Sequence, residues 1–255
     1  MRAHIVLAHP EPRSFNALLA GLSRDTLAAD GWQTSLSDLY AMDFDPREGP
    51  QHFPKRKDTE RFHTQTEQRY NADQDSLPPE VESEIRNLLD SDLLIVHFPL
   101  WWFGMPAILK GWMDRVFAYG RMYRSVERYD RGICAGKRVI ACMTTGASET
   151  SCAYNGREGD SRMHLWPILF PFRYLGYEVY QAEVFHGVGG VAFIENLDGG
   201  LNTLEVYSDR WRQTLGSLES RPLLHYNRAD EFDDSGRLLA DAPSYSPFVR
   251  QDPEI

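Results

Sequence analysis

The chain has 255 residues, 42% of them hydrophobic, and a formal net charge of −10. That size and apolar content allow one large α/β domain, or two small ones, with a full core. The acidic balance argues against nucleic acid or an anionic membrane surface as the main partner. The three cysteines, Cys134, Cys142 and Cys152, form no C-x-x-C pair. This argues against a metal or disulfide framework and favours a reducing, cytoplasmic setting. The only N-terminal apolar run, Ile5 to Ala8, is too short for a signal peptide. The apolar stretch 93–109 is broken by His97, Pro99, Gly104 and Pro106. It falls short of the ~20 residues a membrane span needs.

In chain order, Ala3 to Ala8 reads as a buried parallel strand. The turn HPEPRS follows, and Ser14 is placed to cap a helix from Phe15 to about Ala29. Gly31 ends that helix, and Gln33 to Asp38 reads as a second strand. Residues 43–78 hold few apolar side chains and many charges, so they are expected to form a long surface excursion with some helix. A helix from about Pro79 is expected to present Val81, Ile85, Leu88 and Leu89 on one face. Leu93 to Phe98 is the third strand. Pro106 can open the next helix, with Ile108, Leu109, Trp112, Val116 and Phe117 inward. A strand from Lys137 to Thr144, a loop to about Arg162, a helix from Met163 to Leu175 and a strand from Glu178 to Val184 come next. Leu201, Leu204, Trp211, Leu215 and Leu218 mark a last helix.

This alternation implies parallel strands with right-handed crossovers. Five strands suggest a flavodoxin-like three-layer α/β sandwich, a parallel sheet in order 2-1-3-4-5 with helices on both faces. Residues 1–219 are expected to form that domain. The polar, non-periodic residues 220–255 are expected to be an extended tail on the same domain or on a partner subunit.

Ligands of open parallel sheets bind outside the strand ends, so the loops there carry the functional reading. After the first strand, His9 to Asn16 reads HPEPRSFN. A helix N-terminus offers free N–H groups to a phosphate. An ordinary capped turn uses the same residues, and the segment alone leaves both readings open. Residues 97–117, HFPLWWFGMPAILKGWMDRVF, carry the sharpest signal. Consecutive bulky aromatics are usually core, but Trp101, Trp102 and Phe103 cannot all point inward from one loop.

Residues 97–117 strongly resemble the flavin-binding segment of the NAD(P)H:quinone oxidoreductases (the DT-diaphorase family), and HPEPRSFN closely resembles that family's AHPEPKSFN. The resemblance runs from about residue 3 to 218 and is weak over 47–78 and 186–200. It implies a noncovalent flavin, FAD or, as in some bacterial relatives, FMN. It further implies NAD(P)H as co-substrate and ping-pong, two-electron hydride transfer through flavin N5 to a quinone or nitroaromatic acceptor. By this match His9, Arg13, Ser14, Phe15 and Asn16 hold the flavin's phosphates and ribityl chain. Backbone groups of Pro99, Leu100, Trp101, Trp102 and Phe103 meet the ring edge, and Trp102 and Phe103 wall the substrate site. Thr144, Thr145 and Gly146 match the family's TTGG, with Ala147 in place of the second glycine.

Cys152 and Glu158 stand where the best-known family pattern has a tyrosine and a histidine. Tyr154, two residues on, could replace the lost hydroxyl, so Cys152, Tyr154 and Glu158 are the candidate catalytic residues. The resemblance also implies a homodimer in which Tyr123 reaches into the partner's pocket. Ser125, in place of a second tyrosine, should widen that pocket and make it less aromatic, and Tyr174 is a further wall. Two other readings stand beside the reductase: a regulatory flavoprotein ancillary to a potassium-efflux-type partner, and an idle relative with weakened flavin binding.

Overall fold

The computed structural model describes residues 1–189 and 197–252. The order is β1 (Arg2–Leu7), α1 (Phe15–Ala29), β2 (Gln33–Asp38), α2 (Thr64–Asp73), α3 (Pro79–Asp90), β3 (Leu93–Pro99), α4 (Ala107–Val116), β4 (Arg138–Thr144), α5 (Ser161–Leu175), β5 (Glu178–Val179), β6 (Glu183–Phe185) and α6 (Leu197–Gly216). All strand pairs are parallel, in the order β2-β1-β3-β4-β5, and β6 also pairs with β4. This is the flavodoxin-like order expected from the sequence. The single strand expected over Glu178 to Val184 is instead two short pieces. Between them the chain turns to the tail: Tyr180 bridges to Leu223, and the Leu224 N–H donates to the Val179 carbonyl at 2.7 Å.

Alternate side chains of a strand face opposite sides, and the core divides accordingly. Val6, Leu94, Val96, Phe98, Val139, Ala141 and Met143 pack under α3, α4 and α5. Ala3, Ile5, Leu7, Leu93, Ile95, Ile140 and Cys142 pack under α1 and α6. Strands buried on both faces explain the unbroken apolar runs of the sequence. Two polar networks fix the layers. His97 Nε2 and Ser23 Oγ lie 2.9 Å apart, and Trp211 Nε1 donates to the same hydroxyl, tying β3, α1 and α6. Glu84 on α3 accepts from Ser37 Oγ (2.7 Å) and Trp112 Nε1 (2.8 Å), with His4 3.8 Å away. Burial raises the Glu84 pKa, but these donors and His4 outweigh it and hold the carboxyl below its usual value.

The excursion over residues 43–78 is not merely superficial. Phe44, Phe53 and Leu77 join the core, and Glu67, Gln68 and Asn71 are buried. Glu67 accepts from the Lys57 and Asp58 N–H groups and pairs with Arg56. A buried carboxylate with that many donors needs no apolar signature, which is why charge content misplaced this segment at the surface.

Candidate functional site

Strand order reverses between β1 and β3, and open α/β sheets take their ligands beyond the strands' carboxyl ends at such a switch point. Three loops meet at it. The first, 8–14, ends in α1. Ser14 Oγ accepts from the Ala17 N–H, the cap expected from the sequence. His9 Nδ1 accepts from the Glu11 N–H at 3.0 Å. Burial pushes the His9 pKa down, so the ring is neutral at pH 7 and its proton sits on Nε2. Arg13 is almost wholly exposed and pairs with Glu11, whose pKa is lowered by the Arg13 N–H and guanidinium.

In the second loop, Trp101 and Gly104 exchange both backbone hydrogen bonds at 3.0 Å. Trp102 and Phe103 form the tip of this tight turn, with φ of 51° and 60°. Left-handed conformations are costly for bulky residues, and burial does not repay this cost, since Trp102 is 96% exposed and Phe103 52%. The third loop follows β4. Thr144 Oγ1 accepts from Asn16 Nδ2 at 2.8 Å, and the Thr144 carbonyl accepts from the Leu100 N–H at 2.7 Å. Thr145 Oγ1 accepts from the Ala147 N–H, while the Ala147 carbonyl accepts from the Gly187 N–H. The rings of His9 and Trp101, 6.0 Å apart, join the first loop to the second.

Asn16 tests whether a polar ligand belongs here. It is buried, its amide nitrogen is committed to Thr144, and its Oδ1 has no partner among the described residues. Such an acceptor is expensive to leave unsatisfied. A hydroxylated chain lying over the α1 N-terminus would supply the missing donor, and the His9 Nε2–H stands on the same loop.

A family model described as a flavodoxin-like fold matches residues 1–206. The chain is 36% identical over 237 residues to NAD(P)H dehydrogenase (quinone) 1 of Rattus norvegicus, covering 91% of this chain and 82% of that protein. It is 35% identical over 225 residues to ribosyldihydronicotinamide dehydrogenase (quinone) of Mus musculus, covering 87% and 93%. It belongs to the NAD(P)H:quinone oxidoreductase family. The crystal structure of a Klebsiella pneumoniae protein assigned as a quinone reductase superposes with a TM-score of 0.83 at 28% identity, over 93% of each chain.

The family positions expected to wall an acceptor pocket fall into two groups. Phe103 packs on His164 with ring centroids 5.1 Å apart, and His164 Nε2 donates to the Glu158 carbonyl at 2.8 Å. Tyr123 packs on Tyr174 (5.4 Å) and Tyr119 (5.2 Å). His164 and Tyr174 both lie on α5, and ten residues of helix span about 15 Å. One chain therefore does not bring Phe103 and Tyr123 together. Ser125 Oγ lies 3.3 Å from Tyr119 Oη, and Tyr129 joins the cluster 5.0 Å from Tyr174, so Ser125 adjoins an aromatic cluster.

Of the three candidate catalytic side chains, Cys152 is buried and its carbonyl accepts from the Ser161 N–H and hydroxyl. Tyr154 is largely exposed. The Glu158 carboxylate pairs with Arg157 at 3.1 Å. His164 was not singled out from the sequence, because only the fold brings it between Phe103 and the Glu158 loop. The same holds for His186, whose Nε2 lies 3.1 Å from Ser161 Oγ beneath that loop. Among the described residues no three His, Cys, Asp or Glu side chains gather as a metal site. No described helix is long and apolar enough to cross a membrane.

Proposed function

We propose that this protein is a flavin-dependent NAD(P)H oxidoreductase that passes two electrons to a quinone or a similar flat acceptor. The observation that carries the reading is the unsatisfied Asn16 Oδ1 beneath an exposed, strained aromatic turn, at the switch point of a chain this similar to quinone dehydrogenases. When bound, FAD or FMN supplies the two-electron chemistry, and the protein contributes binding, orientation and electrostatics. His9, Arg13, Ser14, Phe15 and Asn16 hold the phosphates and ribityl chain, with Arg13 released from Glu11 to do so. The backbone of Pro99 to Phe103 and of Thr144 to Ala147 orients the ring. Trp102 and Phe103 stack the acceptor and keep water from it.

Arg157 pairs with Glu158 and would offset its charge toward a flavin bound beside this loop. Tyr154 offers the hydroxyl that Cys152 lacks. Tyr123, Ser125 and Tyr174 complete the pocket of a second subunit, which makes a cytoplasmic homodimer the working form. The tail from residue 220 belongs to the fold's edge rather than to a second domain.

Anaerobic stopped-flow tests this. Protein reconstituted with FAD and mixed with NADPH or NADH should bleach rapidly near ~450 nm and recover its colour on addition of a quinone. Retained flavin that neither nucleotide bleaches would refute the reductase reading.

A further inference from the structure

We propose that the acceptor pocket selects flat aromatics bearing an anionic substituent, and that Arg128 is the residue that selects them; this deepens the reductase reading and rests on it. The tyrosines at the second wall form a connected platform: Tyr119–Tyr123, Tyr123–Tyr174 and Tyr129–Tyr174 centroids lie 5.2, 5.4 and 5.0 Å apart. Arg128 lies across it. Its Cζ is 5.7 Å from the Tyr129 ring and 5.8 Å from the Tyr174 ring, and Nη1 donates to Tyr174 Oη at 3.5 Å.

The nearby acids are already committed. Glu127 pairs with Arg124, Asp230 with Arg228, and Asp130 accepts from both Arg173 and the Ala229 N–H. No carboxylate of the described residues lies within ion-pair distance of Arg128. A chain of net charge −10 repels anions at long range. A planar guanidinium held on aromatic faces, with one donor on Tyr174 and no carboxylate on its fork, reverses that locally and suits a carboxylate or sulfonate. The platform stacks the aromatic body of the same molecule. Gln65 Nε2 donates to Tyr123 Oη at 3.0 Å, which leaves the phenolic proton free for an acceptor carbonyl. Charge, stacking surface and carbonyl donor thus converge on one class of acceptor.

The test is calorimetric binding of anthraquinone-2-sulfonate and of neutral 2-hydroxymethylanthraquinone to the FAD-loaded protein, with steady-state reduction of both measured alongside. The sulfonate should bind about fivefold tighter at low salt, the upper size of an exposed charge pair. The preference should vanish in ~1 M salt. It should also vanish in Arg128→Gln, survive in part in Arg128→Lys, and be unchanged in Arg86→Gln, which removes the same charge from the exposed face of α3. Equal affinities, a preference that persists in Arg128→Gln, or binding of neither compound would overturn the proposal. Binding needs no turnover, so the two readings separate. Preferential binding without reduction of either compound removes the reductase reading alone. Equal reduction and equal binding of both removes the Arg128 proposal alone.

Discussion

Trp102 is the most exposed of the large apolar residues among those described, on a backbone that disfavours it. The indole contributes little to folding, and the left-handed φ costs about 1 kcal/mol or more. Trp102→Asn, which tolerates that conformation, should leave the melting temperature equal or raised. The same change should lower kcat/KM for quinones about tenfold while the flavin stays bound. A colourless Trp102→Asn protein would refute its role at the acceptor. Asn16 is the converse case, buried and joined to Thr144. Asn16→Ala should cost about 1 kcal/mol in urea unfolding and also weaken FAD, read as loss of flavin on gel filtration. Both residues were conspicuous in the sequence because each belongs to a contiguous motif. His164 and Arg128 were not, because what marks them is a neighbour 61 or 46 positions away in sequence, Phe103 and Tyr174 respectively.

Elements were readable where local chemistry decides them. The bounds of α1 follow from the Ser14 cap and the β2 bounds from the punctuating Gly31; both fall where the sequence put them. The last strand was not readable: Glu183 pairs with Arg210 on α6 and with Arg221 of the tail, at 2.9 Å each. The Leu223–Tyr180 bridge and the Gln181 N–H bond to the Pro222 carbonyl tie the chain to the tail between β5 and β6, and local pattern contains none of these partners. The excursion's fit on α4 is equally nonlocal. A Cβ on Gly111 would lie 2.1 Å from the Pro46 carbonyl oxygen. Gly111→Ala should therefore destabilise the fold by about 2 kcal/mol through overpacking. That outweighs the gain of about 1 kcal/mol in helix propensity, and the urea midpoint would decide between the two signs.

Across the whole molecule, the separation of Phe103 from Tyr123 along α5 predicts shared sites. Mixing and refolding a Trp102→Ala chain with a Tyr123→Ala chain should restore about a quarter of wild-type turnover, since half of random dimers are mixed and each holds one intact site. No recovery would refute a pocket built from two subunits. Stability should also depend on pH in a defined direction. Burial lowers the His97 pKa from 6.5 to about 3, so below 6.5 the unfolded chain binds a proton that the native state excludes. Stability should then fall as pH drops from 6.5 toward 3, by up to about 1.4 kcal/mol per pH unit from this group. His97→Leu should flatten the dependence by one proton in urea titrations. Burial lowers His9 and His186 in the same direction.

Of the six tryptophans, Trp112 and Trp211 are sealed in the core, whereas Trp102 stands in solvent at the candidate pocket. The protein thus carries its own optical reporter. Iodide should quench the red-shifted part of its emission first, and an acceptor stacked on the turn should shield that light from iodide. Occupancy of the pocket could then be followed without a label and without turnover.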